Sequence, residues 1–226
     1  MSAPSLRARV RAEMIDEIKA TARRHLAADG ANLSLRAVAR DLGMVSSAVY
    51  RYFASRDDLL TALIIDAYDA VGRTAEEADA AVPRDDLLAR WLAVGHGIRG
   101  WALAHPHEYA LIYGSPVPGY RAPTDTIAPA IRAIGVLGRI LADGAGALDQ
   151  PDELPPPLRA EIAAVRDQIA PPASVGLVFH GMAAWIQLFG CLSFELFGQL
   201  NNAIDEREAF FDRQLRLAAD QLGLRG

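Results

Sequence analysis

Apolar residues recur every three or four positions along most of this chain, the spacing that places side chains on one face of an α-helix. The first such run spans residues 6 to 28 and repeats at intervals of four from Val10 to Ala22. Gly30 follows where this helix should end, because glycine readily takes the left-handed conformation of a helix C-terminus. Since no segment shows the alternation of apolar and polar residues that indicates strands, we expect an all-α fold.

Two short helices joined by a glycine are predicted next. The first covers residues 35 to 41, with Ser34 as its N-cap residue, and Gly43 suits the positive-φ turn that ends it. The second covers residues 45 to 52. Its inner side should carry Val45, Val49 and Phe53. Ser55 then caps the start of a longer helix that continues to about residue 78.

The remainder of the chain is predicted to form helices at about residues 85–104, from Pro106, and at about 126–142, 158–168, 173–199 and 204–223. Residues 170 to 194 contain no acidic residue, lysine or arginine, and this length is compatible with a membrane span. Three glycines, His180 and Gln187 interrupt the segment, and no Lys/Arg cluster closes either end. We therefore favour a helix buried in a core and a subunit interface, with a single-span membrane protein as the alternative. On the last helix, we expect an apolar stripe that includes Leu215 to face the same interface.

Composition narrows the class of protein. The chain has 226 residues, of which 51% are apolar, so it can form one large domain or a small domain and a larger one. Cys191 is the only cysteine, so the chain cannot form an internal disulfide or a cysteine-based zinc site, and a reducing cytoplasm fits. The first 20 residues lack the apolar core of a secretory signal.

Charge is distributed unevenly along the chain. Residues 1 to 60 contain ten basic and seven acidic side chains, whereas the remaining 166 residues carry a net charge of −8. A basic region joined to an acidic one is expected when a nucleic-acid-binding module is fused to a domain that has another kind of partner.

The helix pair at residues 35 to 52 has the arrangement of a helix-turn-helix, in which the second helix enters the DNA major groove. Hydroxyl groups on the second helix can bond bases or phosphates, and the methyl group of Ala48 can contact thymine. Arg36 and Arg56 add positive charge at helix starts, where backbone amides already favour phosphate. The alternative is that the segment is only a corner of a small helical bundle. The DNA-binding candidates are Ser34, Arg36, Ser46, Ser47, Ala48, Tyr50, Arg51, Tyr52 and Arg56.

The stretch LSLRAVARDLGMVSSAVYRYFASRDDLLTAL, residues 33 to 63, closely resembles the DNA-binding domain of the tetracycline-repressor (TetR) family of bacterial transcription regulators. Arg56 stands where the family usually has lysine and Tyr52 where it often has histidine, and both keep a side chain that can reach phosphate. The resemblance implies a three-helix DNA-binding domain at residues 1–56 and a helical ligand-binding and dimerisation domain at residues 57–226. It is carried by Ser34-Leu35, Ala37-Val38-Ala39, Leu42-Gly43, Val45-Ser46, Val49-Tyr50, Tyr52-Phe53 and Asp58-Leu59-Leu60.

The resemblance also implies how such a protein works. A homodimer pairs through its last two helices, binds a palindromic operator as a repressor, and is released by a small molecule, without a cofactor, a metal or enzymatic activity. The stretch VFHGMAAWIQLFGCLSFELFG, residues 178 to 198, further resembles a branch of the family named for a Trp-His-Gly motif, with Phe179 in place of the tryptophan.

Aromatic residues supply the candidates for an effector pocket. Most should belong to the core, and a few should line a cavity. The absence of an obvious charged set among them favours an apolar or aromatic effector. His180 is either a hydrogen-bonded core residue or a pocket residue, and an enzyme using His180 or the His107-Glu108 pair is the alternative from another class. The ligand-binding candidates are Trp91, Trp101, Tyr109, Tyr113, Phe179, His180 and Trp185.

Overall fold

The computed structural model describes residues 5–29, 33–148, 150 and 152–224, and it contains no strand within these ranges. The all-α expectation is therefore confirmed, while Gly30 lies outside the described residues. Within the same ranges the α-helices are α1 Leu6–Asp29, α2 Leu35–Asp41, α3 Ser46–Val49, α4 Arg56–Ala80, α5 Leu87–Ala104, α6 Pro106–Tyr113, α7 Ile127–Asp143, α8 Pro156–Ile169, α9 Val175–Leu196 and α10 Arg207–Leu222.

One compact unit, the first unit, contains residues 1–67 and 107–127. Leu111 of α6 and Tyr120 of the following loop pack against the core formed by α1 to α4. The hydroxyl groups of Tyr120 and Thr61 are hydrogen-bonded at 2.9 Å. A segment that comes late in the sequence therefore completes the N-terminal helical bundle. The centre of this core comprises Ile18, Val38, Val49, Leu59 and Leu60.

The second unit comprises residues 68–106 and 128–226, with α9 and α10 packed together and both against α5. On α10, Leu215 is only 2% exposed and fills the space beside Gly95 of α5. The carbonyl oxygen of Leu215 accepts a hydrogen bond from the indole nitrogen of Trp91 at 2.8 Å. The expectation that Leu215 faces a partner subunit is therefore wrong, because this stripe of α10 is already covered within the chain.

Ion pairs of two arginines join the helices of the second unit. The Arg90 side chain is 3% exposed and donates hydrogen bonds to Asp79 of α4 and Asp143 of α7, both at 2.8 Å. Burial opposes the charged form, but these hydrogen bonds raise the pKa of Arg90 above its ordinary value. Arg99 of α5 forms a bidentate pair with Glu195 of α9, at 3.0 and 2.7 Å. Ion pairs therefore supplement apolar packing between α4, α5, α7 and α9.

By length and composition, α9 could cross a membrane, and 44% of its most apolar window is buried inside the chain. Its last turn carries Glu195, whose carboxylate is buried against Arg99. A core helix of a soluble protein has the same composition, so one such helix is weak evidence for a membrane span.

The predicted helix boundaries differ most from the structure at the second helix of the pair. Residues 45–52 were predicted to be helical, but only Ser46–Val49 are, and turns continue to residue 52. Val45 is 71% exposed rather than on the inner side, whereas Val49 and Phe53 are buried as predicted. Val45 precedes the helix in an extended conformation, with φ −67° and ψ 140°, so the helical period does not apply to it.

The boundary between the two compact units falls inside α4, after Ala67. The first unit also takes in residues 107–127, which the sequence assigns to the later region. The predicted division into a DNA-binding domain at residues 1–56 and a ligand-binding and dimerisation domain at residues 57–226 is a division by function, and it stays a prediction.

Candidate nucleic-acid interface

The turn between α2 and α3 is fixed by local hydrogen bonds. The hydroxyl oxygen of Ser34 accepts a hydrogen bond from the amide of Ala37 at 3.4 Å, so Ser34 is the N-cap of α2, as predicted. After α2, the amide of Met44 donates to the carbonyl oxygen of Ala39 at 2.9 Å. Gly43 lies between them with a φ of 65°, where any residue with a Cβ atom is strained. The glycine therefore sets the direction in which α3 leaves the turn.

Residues 45–52, which we call the recognition segment, present mainly short or polar side chains to solvent. Val49 is fully buried and anchors the segment in the core of the first unit. After Val49, only Tyr52 of this segment packs against that core. Ser47, Tyr50 and Arg51 are exposed, and Ser46, Ala48 and Tyr52 are partly buried.

Val45 is a candidate that the sequence analysis assigned to the core instead. Its exposed side chain lies at the start of the recognition segment, beside Ser46 and Ser47. An exposed aliphatic group in that position can contact the methyl group of thymine. A signal was present in the sequence, since the residue directly before a short helix is an N-cap and stands outside the helical period.

Arg11 of α1 is a second residue that the sequence analysis did not select. Its Nη2 donates to the carbonyl oxygen of Arg51 at 3.2 Å. Its guanidinium carbon lies 5.1 Å from the centre of the Tyr52 ring, the geometry of a cation–π contact. Arg11 therefore holds the end of the recognition segment and the ring of Tyr52. No sequence pattern pairs residues 40 positions apart, so this contact could be recognised only in the structure.

An open cleft of about 340 Å³ lies beside the recognition segment. Arg56 at one wall donates from Nε to the carbonyl oxygen of Leu33 at 3.1 Å, so part of its guanidinium is used inside the first unit. Arg36 at the start of α2 and Tyr50 are both exposed. The cleft thus combines a positive charge, a phenol and a capped helix start. Its lining residues are Leu33, Ser34, Leu35, Arg36, Tyr50 and Arg56.

Arg23 of α1 links three helices of the first unit. Its Nη2 lies 2.6 Å from the Asp66 carboxylate of α4, and its Nε lies 2.9 Å from the Glu108 carboxylate of α6. Lys19, one turn earlier, also pairs with Asp66, at 2.9 Å. Helix α1 is therefore joined by ion pairs to both α4 and α6.

The predicted ligand-binding aromatics are divided between the two units, with Tyr109 and Tyr113 in the first and the others in the second. Trp91 is fully buried and bonded to Leu215, as a core residue would be. Trp101 is stacked on His105, with ring centres 5.7 Å apart. Tyr109 and Tyr113 contact each other at 5.2 Å, and both belong to the first unit.

The candidates on α9 lie in the second unit. Phe179 and His180 contact each other edge to face at 5.7 Å, and Trp185 packs against Phe189 at 4.7 Å. A groove of about 270 Å³ lies along α9 and α10, but none of the predicted ligand-binding aromatics lines it. The groove is lined by Gln187, Gly190, Cys191, Phe194, Leu200, Phe210 and Gln214.

An exposed apolar stripe runs along the outer side of α9. Its residues recur every three or four positions. Ile186 is 68% exposed, and no atom lies near the position that a Cβ atom on Gly190 would occupy. Leu217 of α10 is also exposed. Large apolar side chains on adjacent turns of a surface helix are typical of an interaction surface. We call Ile186, Gly190, Phe194 and Phe197 the α9 stripe.

Cys191 borders the groove, and burial raises the pKa of its thiol to about 11. The thiol is therefore protonated at neutral pH, the form in which a cysteine is a poor nucleophile. Among the described ranges, no group of three His, Cys, Asp or Glu side chains is arranged to hold a metal ion.

Two family models match the chain. Residues 18–63 match the model of bacterial regulatory proteins of the tetR family, and residues 91–218 match the model of the tetracyclin repressor-like C-terminal domain. The first match covers the helix-turn-helix, and the second covers most of the second unit. Neither names the Trp-His-Gly branch, so that assignment stays a prediction.

Individual proteins agree with these matches. The chain is 41% identical over 206 residues to the HTH-type transcriptional regulator Rv1816 of Mycobacterium tuberculosis, covering 86% of each chain. The crystal structure of the regulatory protein SCO4313 is similar with a TM-score of 0.79 and 33% identity, covering 98% of this chain and all of that one. The crystal structure of RolR in complex with resorcinol shares the fold, with a TM-score of 0.51 and 17% identity over 96% of this chain and 95% of that one. The chain belongs to the TetR family of bacterial transcription regulators.

Proposed function

We propose that this protein is a cytoplasmic homodimeric repressor that binds a palindromic DNA operator and is released from it by a small molecule. The observation that carries the proposal is the exposed recognition segment beside a cleft that contains Arg36. Membership of the family supports DNA binding and transcription regulation. Repression, the palindromic operator, the dimer and release by a small molecule are what we propose in addition.

Six of the nine DNA-binding candidates have a defined role in this proposal. Ser47 and Arg51 read base edges, since both are exposed on the recognition segment. The Tyr50 hydroxyl and the Arg36 guanidinium bind backbone phosphates from the cleft. Arg56 contributes mainly by holding Leu33, which keeps the start of α2 against α4. Ser34 fixes the first turn of α2 through its cap.

Dimerisation through α9 and α10 is the second part of the proposal. The α9 stripe and Leu217 form an apolar surface on the two helices, while Leu215 faces inward. Two copies related by a two-fold axis would bury the same surface on both partners, as an isologous interface requires. The two recognition segments would then meet successive major grooves, about 34–36 Å apart.

Release by an effector requires that the effector bind one conformation more tightly than the other. Two helices give a path for such a change. α4 carries Asp66 in the first unit and continues past the unit boundary, and α6 carries Glu108. Because Arg23 pairs with both carboxylates, a shift of either helix strains these ion pairs or moves α1. The recognition segment moves with α1, since Arg11 joins the two. Residues 56–80 and 106–113 therefore couple effector binding to operator binding.

The effector is proposed to be a small, mainly apolar or aromatic molecule. The candidate aromatics Trp101, Phe179 and Trp185 lie in the second unit, and their described ring contacts are to His105, His180 and Phe189, without a carboxylate, lysine or arginine. The structural neighbour RolR, whose structure contains resorcinol, supports a compound of that size.

Selection of bound sequences from random DNA duplexes, at two salt concentrations, tests the proposal. We expect a palindromic motif whose half-sites are one helical turn apart or a multiple of it, and an affinity that falls steeply with salt. Light scattering of the complex should give two chains per palindrome. Recovery of no motif at low salt, from protein freed of bound small molecules by refolding, would refute operator binding.

A further inference from the structure

The indole nitrogen of Trp101 is buried without a hydrogen-bond acceptor among the described residues. The residue is 7% exposed and lies on α5, in the second unit. Trp91, on the same helix, provides the comparison, since its indole nitrogen donates to the carbonyl oxygen of Leu215 at 2.8 Å. One helix therefore buries two indole groups, and only one of them is hydrogen-bonded within the described part of the chain.

A buried N–H group without an acceptor lowers the stability of a protein, because the hydrogen bond it makes with water in the unfolded chain is lost. Phenylalanine would fill most of the same volume without that penalty. An indole at this position is therefore explained best by an acceptor that comes from outside the chain.

His105 holds the Trp101 ring in one orientation. The two rings are stacked, with an interplanar angle of 21°, and Nδ1 of His105 lies 3.0 Å from the carbonyl oxygen of Trp101. The imidazole covers one face of the indole, so the direction of the N–H bond is fixed before any ligand arrives. A preorganised donor of this kind binds an acceptor without the loss of side-chain freedom.

We propose that the indole N–H of Trp101 is the hydrogen-bond donor that recognises the effector. The effector then combines an apolar body with an oxygen or nitrogen acceptor, such as a carbonyl, hydroxyl or ether group. This inference rests on the proposed function and narrows it, since a purely apolar molecule leaves the donor unpaired and is rejected.

Nuclear magnetic resonance of protein labelled with ¹⁵N at its three indole nitrogens tests the inference. The probes are matched pairs, namely phenol and resorcinol against toluene, and acetophenone against ethylbenzene. Substitutions of each tryptophan by phenylalanine assign the three signals, and any two of the variants suffice if the third does not fold. We expect at least one oxygen-bearing probe to move the Trp101 N–H signal downfield, with no such shift for its hydrocarbon partner.

The variant Trp101→Phe gives the second measurement. Its affinity for the shifting probe should fall about tenfold, the effect of one lost hydrogen bond, while its operator affinity stays within twofold. Its melting temperature should not fall, whereas Trp91→Phe, which loses a bond that is already made, should melt lower.

Three results would overturn the inference. The first is a Trp101 signal that no oxygen-bearing probe moves, and the second is a probe affinity of Trp101→Phe equal to that of the unchanged protein. The third is an indole proton that exchanges with solvent at the rate of free indole, which would make water the hydrogen-bond partner. Operator selection is measured separately, so an operator released equally well from Trp101→Phe contradicts this inference alone. Failure to select any operator contradicts the proposed function instead.

Discussion

Arginine is used differently at the recognition segment of the first unit and among the helices of the second unit. In the first unit, Arg36 and Arg51 are exposed beside the recognition segment. In the second unit, Arg90, Arg99 and Arg132 each bond carboxylates on neighbouring helices. The same side chain therefore offers charge to a partner beside the recognition segment and joins helices in the second unit, as Arg23 also does in the first. Net charge along the sequence does not separate these uses, because only the structure shows which cations already have carboxylate partners.

Arg132 illustrates the second use. It bridges α7 to Asp69 and Glu76 of α4, at 2.6 Å to each carboxylate. Its hydrogen bonds hold the pKa of Glu76 below the ordinary value, so the carboxylate stays ionised at neutral pH. Substitution of a buried, paired arginine should accordingly lower the free energy of unfolding, whereas substitution of an exposed arginine beside the recognition segment should lower the operator affinity.

The largest effect is expected for Arg90→Ala. Removal of this buried cation takes from Asp79 and Asp143 the hydrogen-bonded charge that compensates most of their burial, so the free energy of unfolding should fall by about 3–5 kcal/mol. Urea denaturation followed by circular dichroism measures it. Arg84→Ala is the matched control, since Arg84 pairs with the same Asp143 but is 78% exposed and should contribute less than about 1 kcal/mol. Equal losses from both variants would contradict the contrast.

A second expected effect distinguishes the surface of the second unit from its interior. Ile186→Asp places a charge on the α9 stripe and should weaken the dimer by about 100-fold while each chain stays folded. Light scattering at micromolar concentration reports the change. Leu158→Asp, at an exposed leucine of α8, should leave the dimer intact. Leu215→Asp should unfold the chain instead, and an Ile186→Asp dimer of normal stability would move the interface elsewhere.

Operator affinity should respond to the exposed arginines of the first unit. Arg36→Ala removes a phosphate contact, which should weaken operator binding about tenfold and lower the slope of its salt dependence by about one. Arg40→Ala, on the same helix but outside the cleft, should change neither quantity. Fluorescence anisotropy at several salt concentrations gives both. An unchanged slope in Arg36→Ala would mean that the cleft does not hold phosphate.

The smallest effect is expected for Arg11→Ala. Loss of the cation–π contact and of the bond to the Arg51 carbonyl should loosen the recognition segment and weaken operator binding about threefold. The salt slope should stay the same, because Arg11 acts through Tyr52 rather than on phosphate. Arg9→Ala serves as the control, since Arg9 pairs with Glu13 along α1. A slope that falls by about one would assign Arg11 a direct phosphate contact.

Much of the fold could be predicted because the apolar period is local information. The cap at Ser34 and the turn at Gly43 lie where the sequence places them, since each depends on neighbouring residues. The apolar period of α10 identified the stripe that contains Leu215, but it could not show which surface covers that stripe. The sequence pattern is the same whether another helix of the chain or a second subunit covers it.

The candidate interface was predictable to a similar degree. The polar residues of the recognition segment follow from the helix-turn-helix pattern. The pairing of Arg23 with Glu108 and of Arg11 with Tyr52 could not be inferred, because each joins residues far apart in sequence. The aromatic candidates depend on the same kind of information, and spacing alone could not tell the bonded Trp91 from the unbonded Trp101.

The position of the unit boundary inside α4 has a consequence for engineering. A helix turns by about 100° and advances about 1.5 Å per residue. One inserted residue would therefore rotate the part of the helix that follows it by about 100° about the helix axis. Chimeric sensors that exchange the second unit for that of another regulator therefore need a junction in matched helical phase at Ala67-Tyr68. They must also carry residues 107–127 with the first unit. A length change of seven residues, two turns, would restore the phase to within about 20°.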